Sequence, residues 1–206
     1  MAKQHSVSRN HMRDRICDLA ARLMAEDGIQ DYSLAKRKAA RRLGAEDTRH
    51  LPDNSEIEAA LRQRFALYQP QQETYIQSLR ECALGLMQKF LRFTPRLIGP
   101  VLSGSATRFA GIELMVFCED LNEILFFFIQ EKQAYKLTEQ SFKLNGALVK
   151  LPAVLITEQM TGVTLIVAPK GIPSMHLCAA DGRKIDSANL ARVQALLSPS
   201  ARSSAT

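Results

Sequence analysis

The stretch Leu97 to Asp120, LIGPVLSGSATRFAGIELMVFCED, constrains this chain more than any other. Its pattern predicts an apolar strand ending at Leu102, a turn of small residues from Ser103 to Thr107, and a second apolar strand from Ile112 to Phe117. A Gly-Ser turn leaving a strand lets phosphates approach the backbone. Gly104 has no side chain to obstruct them, and Ser105 offers a hydroxyl and an N–H. A carboxylate, Glu113, opens the second strand.

Apolar periodicity before this stretch is helical. From Arg13 to Asp27, residues Ile16, Leu19, Ala20, Leu23 and Met24 share one face, and Gly28 stands where a left-handed cap is expected. The polar residues Met1 to Asn10 are expected to fray. A second helix is predicted from an N-cap at Ser33 to Gly44, with Ala35, Ala39, Ala40 and Leu43 on one side. The opposite arc carries Arg37, Lys38, Arg41 and Arg42, a set that fits either phosphate contact or a solvated exterior. A third helix is predicted behind a Ser55/Glu58 capping box and ends at Pro70; a fourth runs from Gln72 to Phe93.

Beyond the opening stretch, Asp120 caps a helix reaching Lys132, with Leu121, Ile124, Leu125, Phe128 and Ile129 as its apolar face. Strand-like segments follow at 134–137, 142–151, 153–157 and 163–168, with Asn145-Gly146 placed to make a tight hairpin turn. Gly171, Pro173 and Gly182 mark loops. Ser187 is the expected cap of a last helix, Ala188 to Leu197, and the small polar tail 199–206 is expected to be disordered. The fold class is therefore α+β: a helical N-terminal region, 1–94, followed by a mixed β-sheet domain, 95–198.

Composition narrows the function classes. With 206 residues, 46% of them hydrophobic, the chain can bury one sizeable core or a core with a helical satellite. Its apolar runs are far shorter than the ~20 residues that span a bilayer, and its first residues lack a signal peptide's apolar core. No membrane association and a cytoplasmic location are expected. Four scattered cysteines show neither zinc spacing nor a disulfide framework. The histidines His5, His11, His50 and His176 show no ligand spacing, and nothing in the sequence positions Ser174, His176 and Asp181 as a triad. A net charge of +6 favours polyanionic partners, a nucleotide or RNA.

The Gly-Ser turn between two strands resembles the nucleotidyltransferase superfamily, and the resemblance covers Phe93 to about Leu197. It implies two metal ions, magnesium by expectation, and a nucleoside triphosphate held by a Gly-Ser turn and by carboxylates on alternate residues of the next strand. Gly104 and Ser105 match the turn, with Ser103 and Arg108 as flanking candidates for nucleotide contact. Glu113 matches the second carboxylate and is the candidate catalytic and metal-ligating residue. The first carboxylate's position is Gly111, and the third, expected near Val163 to Val167, falls among Val-Thr-Leu-Ile-Val. The phrase LAARLMAEDGIQDYSLAKRKAARRLG also resembles a motif of a poorly characterised group of bacterial proteins with a nucleotidyltransferase-like second half.

Two-metal transfer needs carboxylates projecting from one strand face to bridge ions roughly 3.5–4 Å apart. One carboxylate does not make that clamp. Three readings stand: a nucleotidyltransferase-like protein that binds a nucleotide or RNA with little or no catalysis; an active magnesium-dependent transferase using acids placed elsewhere; and a helical nucleic-acid-binding or protein adaptor. The first expects Ser103 to Ser105 at a pocket rim. It also expects Gly111→Asp to project a carboxylate beside Glu113.

Overall fold

A computed structural model describes residues 2–45, 51–68, 71–171 and 177–198, with side chains from residue 11 onward except at residue 68. His50, Pro70, Pro173, Ser174, His176 and the tail 199–206 lie outside the described residues, as does the side chain of His5. The fold is α+β, with helices first and then a six-stranded mixed sheet. Among the described residues, no helix is long and apolar enough to cross a membrane. The chain forms two compact units: Met1–Glu73 with Ser105–Ala110, and Thr74–Gly104 with Gly111–Thr206.

The first unit is built on α1 (Ala2–Asp27), α2 (Tyr32–Arg42) and α3 (Asn54–Tyr68). Its core joins Ile16, Ala20 and Leu23 of α1 to Ala35, Ala39 and Ala40 of α2 and to Ile57, Leu61 and Phe65 of α3. The alanines let α2 pack by its backbone. Helix α1 begins at Ala2, earlier than the expected frayed end; residues 2–10 contain neither Gly nor Pro, so a packed helix extends through them at little cost. Gly28 ends it at φ 72°.

Two caps of this first unit differ from expectation. Helix α2 starts behind Asp31, whose carboxylate accepts the Leu34 N–H at 3.0 Å, so Ser33 lies inside the helix. The box on α3 is Asp53/Glu56: Asp53 Oδ1 accepts the Glu56 N–H at 3.0 Å, and Glu56 accepts the Asp53 N–H at 2.6 Å. Arg13 forks onto Glu56 and also donates to the Leu51 carbonyl at 3.1 Å, fixing α3's start to α1. Those bonds, the Arg13 bond foremost, hold the Glu56 carboxyl below its usual range.

The second unit contains α4 from Thr74 onward (α4 is Gln72–Lys89), a 3-10 turn at Leu91–Phe93, and the sheet. The expected single helix to Phe93 is interrupted after Lys89, and Thr94 adopts a left-handed φ of 46°. Strand order is β1-β2-β5-β4-β3-β6, from β1 (Arg96–Ile98), β2 (Ile112–Cys118), β3 (Lys136–Leu144), β4 (Ala147–Glu158), β5 (Thr161–Pro169) and β6 (Leu177–Ala179). Among the described strands, only β2 and β5 pair in parallel. Helix α6 (Leu121–Gln130) is capped by Asp120 with Glu123 completing the box, and buries Ile124 and Phe128. Phe90 meets Phe127 edge-on at 5.3 Å. Ile129, expected on the buried face, is 59% exposed.

Asn145 and Gly146 (φ 51° and 84°) make the expected tight turn between β3 and β4. Strand β4 then runs on through Pro152, merging two expected segments. The proline is tolerated because β5 pairing begins only at Ala153, so its missing N–H falls where one neighbour is absent. Helix α7 (Leu190–Leu197) is capped by Asn189, two residues later than the expected cap Ser187. Ala188 exchanges both backbone hydrogen bonds with Leu97 at the sheet edge, which keeps it out of that helix.

Candidate functional site

The strand expected to end at Leu102 stops at Ile98. Val101 and Leu102 are buried as expected, but within the short helix α5 (Gly99–Ser103). Gly99 at φ 71° turns the chain out of the strand, and Pro100, which has no N–H to satisfy, opens the helix. Gly104 is the left-handed cap at φ 79°, its N–H donated to the Pro100 carbonyl. Arg80 donates to the Val101 and Leu102 carbonyls at 3.1 and 2.9 Å, neutralising the end of α5 from α4.

The donors expected to meet phosphate are therefore used internally. The Ser103 hydroxyl donates to the Pro100 carbonyl at 3.4 Å. Ser105 is 2% exposed and its hydroxyl donates to Glu58 Oε1 at 3.1 Å, inside the first unit. Glu58, expected in a capping box, instead accepts this bond and lies 4.0 Å from Arg62 Nη1. A cleft of about 450 Å³ in the second unit is lined by Ser78, Glu81, Cys82, Gly85, Leu86, Lys89, Glu158 and Gln159, and includes none of the turn residues. Burial, and then the Glu158 carboxylate, pushes the Cys82 thiol up, which is unlike an activated nucleophile.

Glu113 lies on β2 opposite Ile98 on one side and Thr164 on the other. Its carboxylate fills the space a side chain at residue 99 would need: a Cβ there would stand 2.5 Å from Oε2. Burial raises its pKa, and among the described residues it has no ion-pair partner. The neighbouring position on β5 where another acid would stand beside it holds Thr164.

Gly111 adds a second obstacle. A Cβ built there would lie 2.5 Å from the Gly162 carbonyl oxygen, so an aspartate at 111 has no room to project beside Glu113, contrary to the expectation from sequence. Among the described residues, no group of three or more His, Cys, Asp or Glu is placed to hold a metal ion. The residues around Glu113 do not fit a magnesium pair.

The basic residues fall in the first unit. Arg37, Arg41 and Arg42 are exposed on α2 and Lys38 is half-buried. Asp27, the last residue of α1, takes Lys38 Nζ at 3.5 Å and Arg42 Nη2 at 3.7 Å. Arg37 has no ion-pair partner among the described residues. Glu26, which precedes Asp27 in the chain, takes Arg22 at 2.9 Å and Arg64 at 2.5 Å; these bonds, Arg22 first, hold its carboxyl below the usual range. Arg108, expected near the turn's nucleotide, reaches the Glu26 carbonyl at 3.4 Å from Nη2 and lies over the Phe109 ring.

Within the first unit Arg108 reaches the Glu26 carbonyl and the next residue, Asp27, takes Lys38 and Arg42; Glu113 belongs to the second unit. Phe109 was not singled out from sequence. Its position depends on Gly28, eighty-one residues earlier, and no local pattern links the two. Comparison of the chain with family models, with curated proteins and with solved structures returned no match.

Proposed function

We propose that this protein binds the phosphate backbone of a nucleic acid, RNA foremost, through the exposed face of α2, and that its sheet unit performs no nucleotidyl transfer. One observation carries the reading. Five of the seven residues from Lys36 to Arg42 are Lys or Arg, on a helix whose other side is seated on α1 by alanines, with Asp27 as the acid between two of them. Packing by alanine keeps α2 close and rigid, so the cations are presented from a fixed backbone. Phosphate contacts by such a face release condensed counterions and make binding strongly salt-dependent.

The sheet unit argues in the same direction. Ser105 is engaged with Glu58, Gly104's N–H is engaged with Pro100, and Glu113 sits alone with a raised pKa. None of these presents a phosphate cradle or a metal clamp.

The test is a salt titration of binding to a single-stranded RNA, comparing wild type with the variant R37Q/K38Q/R41Q/R42Q. The expected slope of log K against log salt falls by about three units, at ~0.7 per phosphate contact on a single strand. An unchanged slope overturns the reading. A companion assay with labelled triphosphates and magnesium or manganese is expected to show no transfer; turnover in wild type that disappears in Glu113→Ala would restore the transferase.

A further inference from the structure

At the end of α1, one residue beyond the Asp27 that pairs with two of the α2 cations, Gly28 meets an exposed aromatic ring. Phe109 is 40% exposed on the short segment Ser105–Ala110. Its ring is seated against the backbone of Gly28, where a Cβ would come within 3.2 Å of it. The Gln30 amide donates to the Phe109 carbonyl, the Phe109 N–H is donated to Thr107 Oγ1 at 3.3 Å, and Ala110 closes the turn onto the Thr107 carbonyl at 2.9 Å. The guanidinium of Arg108 lies 4.7 Å from the ring centroid. The ring is thus held by Gly28 and Arg108 while part of it stays open to water.

The neighbouring residue accounts for it. Gly28, which seats the ring, directly follows Asp27, which gathers Lys38 and Arg42. An aromatic and guanidinium stack next to backbone-contacting cations is the chemistry that recognises unpaired bases: the cations track phosphate while the stack receives a base face. A duplex hides those faces.

Resting on the backbone-binding reading above, we infer that the ligand is a single-stranded nucleic acid, with one base stacked on the Phe109–Arg108 pair while the α2 cations hold the adjoining phosphates. Gly28 is then a specificity element as well as a helix stop, because a Cβ there would press on the ring from 3.2 Å.

The test uses the full chain and three probes of equal length: a 12-nucleotide oligouridylate, an abasic oligomer with the same number of phosphates, and a duplex RNA. Wild type is expected to bind oligouridylate about tenfold more tightly than the abasic strand, the scale of one base–aromatic stack, and more tightly than the duplex. Phe109→Ala is expected to erase that preference and leave the salt slope unchanged. The chain contains no tryptophan, so Phe109→Trp supplies a single fluorescent reporter; it should keep the preference and be quenched by oligouridylate but not by the abasic strand. If Phe109→Ala fails to fold, the quenching experiment decides alone. Equal affinity of wild type for base-bearing and abasic strands, with the steep salt slope retained, overturns the stacking site and leaves backbone binding standing. Equal or tighter binding of duplex overturns the single-strand assignment, and no binding to any probe overturns both.

Discussion

Replacing Gly111 by alanine places a methyl carbon 2.5 Å from the Gly162 carbonyl oxygen. Ordinary contact lies near 3.5 Å, so one backbone or the other must give by about 1 Å. Neither is free to do so cheaply. One residue later the parallel ladder begins with Ile112 opposite Val163, both buried, and it runs without a break to Cys118 and Pro169. Gly111 is not in the left-handed region, so the penalty is steric alone. Overpacking of this kind costs about 2 kcal/mol, which in a protein of this size lowers Tm by about 4–8 °C. The partner glycine supplies the control: a Cβ at Gly162 meets nothing within 4 Å. Gly162→Ala is therefore expected to be neutral or to stabilise by up to about 1 kcal/mol through the unfolded chain. Urea denaturation of both variants, followed by far-ultraviolet circular dichroism, measures the contrast. A Gly111→Ala midpoint equal to wild type, or an equal loss in Gly162→Ala, would refute the steric argument and reopen residue 111 to an acid.

The raised pKa of Glu113 has a pH signature. A carboxyl that binds its proton more tightly when folded makes stability fall as pH rises from the ordinary glutamate range through the raised value. Glu113→Gln should remove that fall and be the more stable protein at neutral pH; a difference that stays flat across pH in denaturant titrations would contradict the burial. Gln159 and Met160 close the β4–β5 hairpin at φ 47° and 66° without glycine, and Met160 is 98% exposed. The double change Gln159→Asn and Met160→Gly should stabilise by about 1 kcal/mol in thermal melts, and a lower Tm would show that those side chains matter. Asp53→Ala should cost about 1 kcal/mol as a lost helix cap, with Ser55→Ala costing less; the reverse order in urea midpoints would restore the cap to Ser55.

What was readable in the sequence was local. Asp120, Gly28, Gly44 and Asn145-Gly146 each impose a backbone conformation on their immediate neighbours, and each element forms around them. The basic arc of α2 follows from helical spacing alone. The errors arose where two local solutions compete. Ser55/Glu58 and Asp53/Glu56 both spell a capping box, and the choice is made by Arg13 and Ser105, which bring Glu56 and Glu58 to different partners. Val101 and Leu102 suit a buried strand or a buried helix equally, and Gly99-Pro100 was the available sign that the strand had ended. The site around Glu113 was harder still, because only the register of β2 against β5 shows that Gly111 faces a carbonyl and that Thr164 is Glu113's neighbour. Phe109 had no local signature at all.

The path of the chain gives these contacts an order in time. The first unit is not one continuous segment: residues 74–104 are synthesised between its three helices and its last piece, Ser105–Ala110. At about 5–20 residues per second, a nascent chain waits a few seconds between completing Glu73 and making Ser105. During that interval Glu58 has no Ser105 hydroxyl, the Gln72 amide has no Ala106 carbonyl to donate to, and the seat at Gly28 is empty of its ring. The basic helix is thus on the ribosome before Phe109 exists, and a polypeptide cut after residue 73 would keep the cations proposed to contact phosphate while lacking the ring proposed to receive a base.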